Sequence, residues 1–166
     1  MNPRKHSFPP VVDAHVRLLI LGSLPGERSL AEQRYYAHPQ NQFWRLVSAA
    51  IGQDITGLPY DKRLAALRHA HVGLWDVVAS ARRRGSTDAA LEEVEAHDVA
   101  ALAATLPELR AIAFNGGTAH RHGLRQLGAA ATRYEILALP SSSPLHTIGF
   151  EAKRPAWAAL ARFLRD

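Results

Sequence analysis

Two short polar loops hold most of the reactive side chains of this sequence. The first follows an apolar run, Arg17-Leu18-Leu19-Ile20-Leu21, that breaks into Gly22-Ser23-Leu24-Pro25-Gly26 and leads on to YYAHPQNQFW, Tyr35 to Trp44. An apolar strand ending in Gly-x-x-Pro-Gly makes a turn whose backbone can approach a ligand closely. Soon after it come two adjacent aromatics, a histidine and an asparagine. This is the inventory of a pocket that stacks a flat ring and sets a polar group beside it. The second loop, Leu139-Pro140-Ser141-Ser142-Ser143-Pro144-Leu145-His146, ends another apolar run near the C-terminus. Asp76 and Asn115-Gly116-Gly117 end two more.

These loops need elements to position them, and the hydrophobic pattern supplies those. Strands are expected over 17–21, 72–78, 110–114 and 134–139; the first is apolar throughout, as a strand buried on both faces must be. Phe43, Leu46, Val47 and Ala50 fall at helical spacing and predict a helix over 40–51, ended by Gly52. Further helices are expected over 61–70, near 97–106, over 118–127 and over 153–164, the last with Pro155 in its first turn, where proline is tolerated. Residues 22–39 read as one long loop, 82–88 as a polar loop, and 1–16 as a basic lead-in. Strands alternating with helices mean an α/β fold: a three-layer α/β/α sandwich around a central four-stranded, mainly parallel sheet. Ligands of such sheets sit at the carboxyl ends of the strands. All four candidate segments lie at such ends, so the polar chemistry converges on one rim.

The chain has 166 residues, 47% of them apolar, and carries a net charge of +5. That length and composition fit one globular domain over 1–166. Cysteine is absent, which excludes disulfides, thiolate metal sites, a cysteine nucleophile and cysteine-held iron–sulfur clusters. The lack of cysteine fits a cytoplasmic setting. No 18-residue apolar run suits a membrane helix, and MNPRKHSFPP lacks the apolar stretch of a signal peptide. The basic balance favours a polyanionic partner, nucleic acid first. The nine histidines are scattered without ligand spacing, so no metal site and no cofactor is expected.

The sequence resembles the uracil-DNA glycosylase superfamily. GSLPG is similar to its strand-end Gly-x-x-Pro-Gly motif, HPQNQFW (His38 to Trp44) to its His-Pro-x-Asn-x-Phe-Trp stretch, and Ser143-Pro144-Leu145 to the Ser-Pro-Leu of its second motif. The likeness runs from about 17 to about 163. With Phe114-Asn115-Gly116-Gly117, the set is most similar to the hypoxanthine-DNA glycosylase branch. Two positions depart from the wider pattern. Leu24 stands where other members carry a water-activating Asp or Asn, and Ser141 where uracil enzymes carry a motif histidine. In the branch it resembles, the catalytic asparagine is that of His-Pro-x-Asn, here Asn41.

The resemblance implies a metal-independent glycosylase that flips a deaminated base out of DNA and hydrolyses its N-glycosidic bond. Hypoxanthine is the first expected base. Asn41 would hold a water in line with the anomeric carbon and stabilise positive charge there, although asparagine also caps helix starts. Tyr36 would stack on the base, with Gly22, Leu24, Pro25 and Gly26 bringing backbone to it and Ser23, a catalytic candidate beside Asn41, bringing backbone to the base or a water. A carboxylate only accepts hydrogen bonds, so Asp76 could read the base N–H; Asn115 would either read the base edge or fix its own loop. Ser141, Ser142, Ser143 and Pro144 are candidates to grip phosphates, and Leu145 to fill the gap left in the stack. His146 would meet phosphate or the developing anion. Arg82 and Arg84 are candidates for phosphate contact, though a charge run is also simply a solvated face. The expected partner is DNA holding a deaminated base, and the expected state a monomer. Three alternatives stay open: a uracil or broad-range glycosylase, a catalytically weak damage-binding module, and a small-molecule nucleotide enzyme.

Overall fold

A computed structural model describes residues 3–166. Its centre is a four-stranded sheet in the order β3-β2-β6-β7, where β2 is Leu18–Gly22, β3 Val72–Asp76, β6 Ala111–Asn115 and β7 Glu135–Leu139. All three pairings are parallel. Every residue of β2 is buried, which its unbroken apolar run requires of a central strand. Side chains alternate between the faces. Leu18, Ile20, Ala111 and Ala113 join one core, with helices α2 (Phe43–Ile51), α3 (Tyr60–His69) and α6 (Phe150–Ala158). Leu19, Leu21, Ile112 and Phe114 join the other, with α4 (Val99–Ala104) and α5 (Gly117–Leu127). The expected three-layer sandwich is therefore observed.

The register matters most for function. Gly22 lies opposite Asp76, Leu21 opposite Phe114, and Asn115 opposite Leu139. The carboxyl ends of all four strands thus finish level on one rim.

Several expected boundaries need correction. The run 72–78 is two strands: the chain turns at Val77, whose N–H donates to the Gly22 carbonyl, and continues as β4 (Val78–Arg82) in a separate antiparallel sheet, β1-β4-β5. Strand β1 (Arg4–His6) falls inside the expected lead-in, and Val11 makes a further bridge to Leu74. Residues 4–6 and 11 of the expected lead-in thus pair with the sheets; residues 1 and 2 lie outside the described residues. Strand β5 (Glu92–Ala96) is exposed along its whole length, so its Glu-Glu-Val-Glu-Ala sequence carries no burial pattern to read. Within 22–39 lies a short helix, α1 (Glu27–Glu32). Helix α6 begins at Phe150, after Gly149 at φ 86, which leaves Pro155 inside it rather than in its first turn. Proline there has no N–H for the Glu151 carbonyl, and the helix tightens into a 3-10 turn over Ala159–Phe163.

Gly123 fixes how closely α5 packs on the sheet. A Cβ at this position would overlap the Phe114 ring. Gly123→Ala gains helix propensity of about 1 kcal/mol but overpacks the core, at a cost of about 1–3 kcal/mol. A net loss of stability is expected, seen as a lower urea midpoint with an unchanged slope.

Candidate active site

The rim encloses a cavity of about 490 Å³, a size suited to a small flat ligand. The Gly22–Gly26 segment, Tyr36, Asn41, Asp76, Asn115 and the whole stretch from Ser141 to His146 line it. The two polar loops therefore form one site, as their placement at strand ends implies. Arg82 and Arg84 are not among its lining residues.

Asp76 occupies the deep end. It is 3% exposed, and among the described residues its Oδ2 has no hydrogen-bond partner. Burial, reinforced by the charge of Asp88 and opposed by Arg83, pushes its carboxyl up to about 7. The acid form of this group donates a hydrogen bond as well as accepting one, whereas its carboxylate only accepts. Gly22 is required beside it, because a Cβ there would lie 2.6 Å from Asp76 Oδ1 and 3.0 Å from Tyr36 Oη.

Tyr36 adopts a left-handed conformation, φ 53, uncommon for a bulky residue and costly to hold. Contacts at both its backbone and its ring hold it. Its carbonyl accepts from the Trp44 indole N–H at 3.2 Å, and its ring stacks on Phe43 with centroids 3.9 Å apart. Burial and the nearby Asp76 charge raise the phenol well above its usual range, so it stays protonated. Asn41 begins the turn into α2. Its Oδ1 accepts from Phe43 N–H at 2.9 Å, an Asx turn one residue before the helix N-cap, Gln42; the second lone pair of that oxygen and the amide N–H groups have no such duty.

Asn115 is bonded to the second loop and to Tyr36. Its Oδ1 accepts from Ser142 N–H at 2.8 Å, and its Nδ2 donates to Ser142 Oγ at 2.9 Å and to Tyr36 Oη at 3.3 Å. Ser142 is correspondingly buried, which turns its hydroxyl away from any phosphate and makes it a brace. The same loop is held from behind by α6: Lys153 Nζ donates to the Ser143 carbonyl at 3.2 Å and Trp157 Nε1 to the Pro140 carbonyl at 3.0 Å. Leu145 is 63% exposed, with His146 exposed beside it.

Asp88 and Lys153, not singled out from sequence, and Arg83, read there only as part of an arginine run suited to phosphate, also sit at or beneath the site. Asp88 lines the cavity and accepts from Ser23 Oγ at 2.8 Å. Arg83 is buried under the first loop, donating to the carbonyls of Pro25 at 2.5 Å and Gly85 at 3.0 Å, and lies 3.9 Å from Asp88. Lys153 is fully buried. Strand alternation was a signal available for Arg83, since its neighbour Arg82 faces Glu93 of the edge strand at 2.6 Å.

The chain matches the Uracil DNA glycosylase superfamily over residues 9–161. It is 40% identical over 160 residues to the hypoxanthine DNA glycosylase of Methanosarcina acetivorans, covering 95% of this chain and 98% of that protein. It is 37% identical over 157 residues to the hypoxanthine DNA glycosylase of Methanosarcina barkeri, covering 93% and 96%. A solution NMR structure of a Methanosarcina acetivorans protein superposes with a TM-score of 0.85 at 40% identity, over 98% of this chain and 99% of that one. With two strand-end loops meeting in one cavity and relatives aligned along nearly its full length, this chain belongs to the uracil-DNA glycosylase superfamily.

Proposed function

We propose that the protein is a hypoxanthine DNA glycosylase that releases the deaminated base from DNA and leaves an abasic site. The observation that carries this reading is the near-full-length relation to two hypoxanthine DNA glycosylases. The cavity supports it, because its depth, aromatic wall and polar floor suit a flipped purine.

Breaking the bond builds positive charge on the sugar and negative charge on the departing base. Tyr36, backed by Phe43, offers a rigid aromatic wall for the base. Asn41 stands where the chain enters α2, and the free lone pair of Oδ1 holds the attacking water. An amide oxygen is too weak a base to ionise water, so its contribution is position and dipole. The bond from Phe43 N–H fixes that oxygen in advance. The Asx turn and catalysis thus share one atom through different lone pairs.

DNA would lie across the mouth. Ser141 and Ser143, with the free amides at the start of α5, suit the phosphates flanking the flipped nucleotide. Leu145, exposed at the tip of the second loop, suits the vacated space in the stack. Arg84, exposed beyond β4, is a candidate for more distant phosphates. Arg82 is engaged by Glu93 and suits this role less well.

Asn41→Ser keeps a side-chain oxygen that can close the same turn but withdraws the amide. It should retain the wild-type melting temperature within a few degrees and lose about 100-fold or more in single-turnover release of hypoxanthine. Release that survives at wild-type rate would remove Asn41 from the mechanism, and release of uracil alone in a parallel arm would reassign the base. Leu145→Ser should slow release from duplex DNA by tenfold or more while leaving single-stranded DNA nearly unaffected, because only a duplex stack must be held open. Equal losses on both substrates would count against a wedge.

A further inference from the structure

We propose that Asp76 is the general acid of the reaction: its carboxylic acid donates a proton to the imidazole ring of the leaving purine, so that hypoxanthine departs neutral rather than as an anion. This rests on the glycosylase reading and concerns a step that reading leaves open.

The geometry points to a proton donor. Asp76 lines the closed end of the cavity, 3% exposed, with an oxygen that no protein group satisfies. A partnerless buried carboxyl in a ligand cavity finds its partner in the ligand. The opposite strand offers only bare backbone, since a side chain at Gly22 would collide with Asp76 Oδ1. Among the described residues no salt bridge forms on Asp76. The one buried guanidinium nearby, Arg83, spends its bonds on the carbonyls of Leu24, Pro25 and Gly85 and lies against Asp88.

The surrounding charges agree. From β3 comes Asp76 itself, from the 3-10 turn after β4 comes Asp88, and from the segment before α2 come Tyr35 and Tyr36, both held protonated. Asn115 on β6 is neutral. The cavity's cation-capable side chains, Arg28, His38 and His146, are all exposed. A purine anion leaving into this space would face the carboxyl groups of Glu27, Asp76 and Asp88, while the buried Arg83 guanidinium is committed to the carbonyls of the first loop. Protonation removes that conflict. As the C1′–N9 pair moves into the ring, the Asp76 O–H bond breaks and an N–H bond forms at N7. Water then adds its oxygen to C1′, and its proton returns to the Asp76 carboxylate. The cycle closes without any other reactant. A pyrimidine has no N7, so this donor also favours purines.

The test is single-turnover release from DNA carrying hypoxanthine or 7-deazahypoxanthine, by wild type and Asp76→Asn, from pH 5.5 to 8.5. The wild-type rate on hypoxanthine should fall towards tenfold per pH unit above about 7. Asp76→Asn should be about 100-fold slower or more and flat with pH. On the 7-deaza base, Asp76→Asn should cost nothing further, because the acceptor is already gone. Melting temperatures of the two proteins across the same range check the fold and locate the carboxyl's own titration. The amide variant should gain stability over wild type as pH rises. A rate that rises with pH, or an equal loss on both substrates, overturns the general acid and leaves the glycosylase standing. A wild-type protein that releases neither base overturns both.

Discussion

The site depends on one register. Because β2 and β3 run parallel with Gly22 opposite Asp76, a carboxyl group is pressed against a residue without a side chain at the end of the sheet's most buried strand. Only glycine leaves room there, and the sheet's continuity leaves the carboxyl little freedom to turn away. The cavity's deep end is therefore set by backbone pairing, the least adjustable part of the fold. Both loops are then fastened to that fixed end. Val77 and Val78 donate back to the carbonyls of Gly22 and Ser23, which locks the first loop to the strand carrying Asp76.

The polar groups around this end divide into two kinds. Arg83, Asn115, Ser142 and Lys153 have partners inside the protein, and their work is to hold loops. Arg83 grips the underside of GSLPG, Asn115 ties the second loop to Tyr36, and Lys153 holds that loop from α6. A satisfied polar network rigidifies what it touches. Asp76 is the other kind: buried, in the same cavity, and lacking a partner at Oδ2. That contrast separates scaffold from chemistry more sharply than residue type does, since two of the scaffold residues, Arg83 and Lys153, carry formal charge.

The contrast also explains what was legible beforehand. The four parallel strands and their helices follow from apolar periodicity, and the convergence of Gly22, Asp76, Asn115 and the serine loop follows from their places at strand ends. The second sheet was hidden, because Arg-Lys-His and Glu-Glu-Val-Glu-Ala form edge strands without a buried face, and hydrophobic alternation cannot reveal them. The start of α6 was hidden because Pro155 suggested a first turn. The bonds of Arg83 could not be read, and for Asn115 the two readings, base edge or loop, could not be told apart. Whether a polar side chain faces a ligand or a neighbouring carbonyl depends on contacts across 27 residues for Asn115 and Ser142, and 58 for Arg83 and Pro25, which local sequence does not encode.

Keeping Asp76 partnerless has a cost with a definite sign. Its native affinity for a proton exceeds that of the unfolded chain, whose ordinary value is 3.8. The proton therefore stabilises the fold, and that contribution is lost as pH rises through about 7. A tenfold gain in proton affinity corresponds to about 1.4 kcal/mol, so the native state at high pH bears a burden of a few kcal/mol that an asparagine would not impose. Stability alone would favour the amide, or a cation beside the acid. Arg83 is close enough to lower the Asp76 carboxyl somewhat, yet its guanidinium is committed to the first loop and Asp88. The fold thus holds a buried positive charge in the neighbourhood and does not pair it with the deepest carboxyl. A group used only as packing would gain from that pairing; a proton donor to a bound base would be disabled by it.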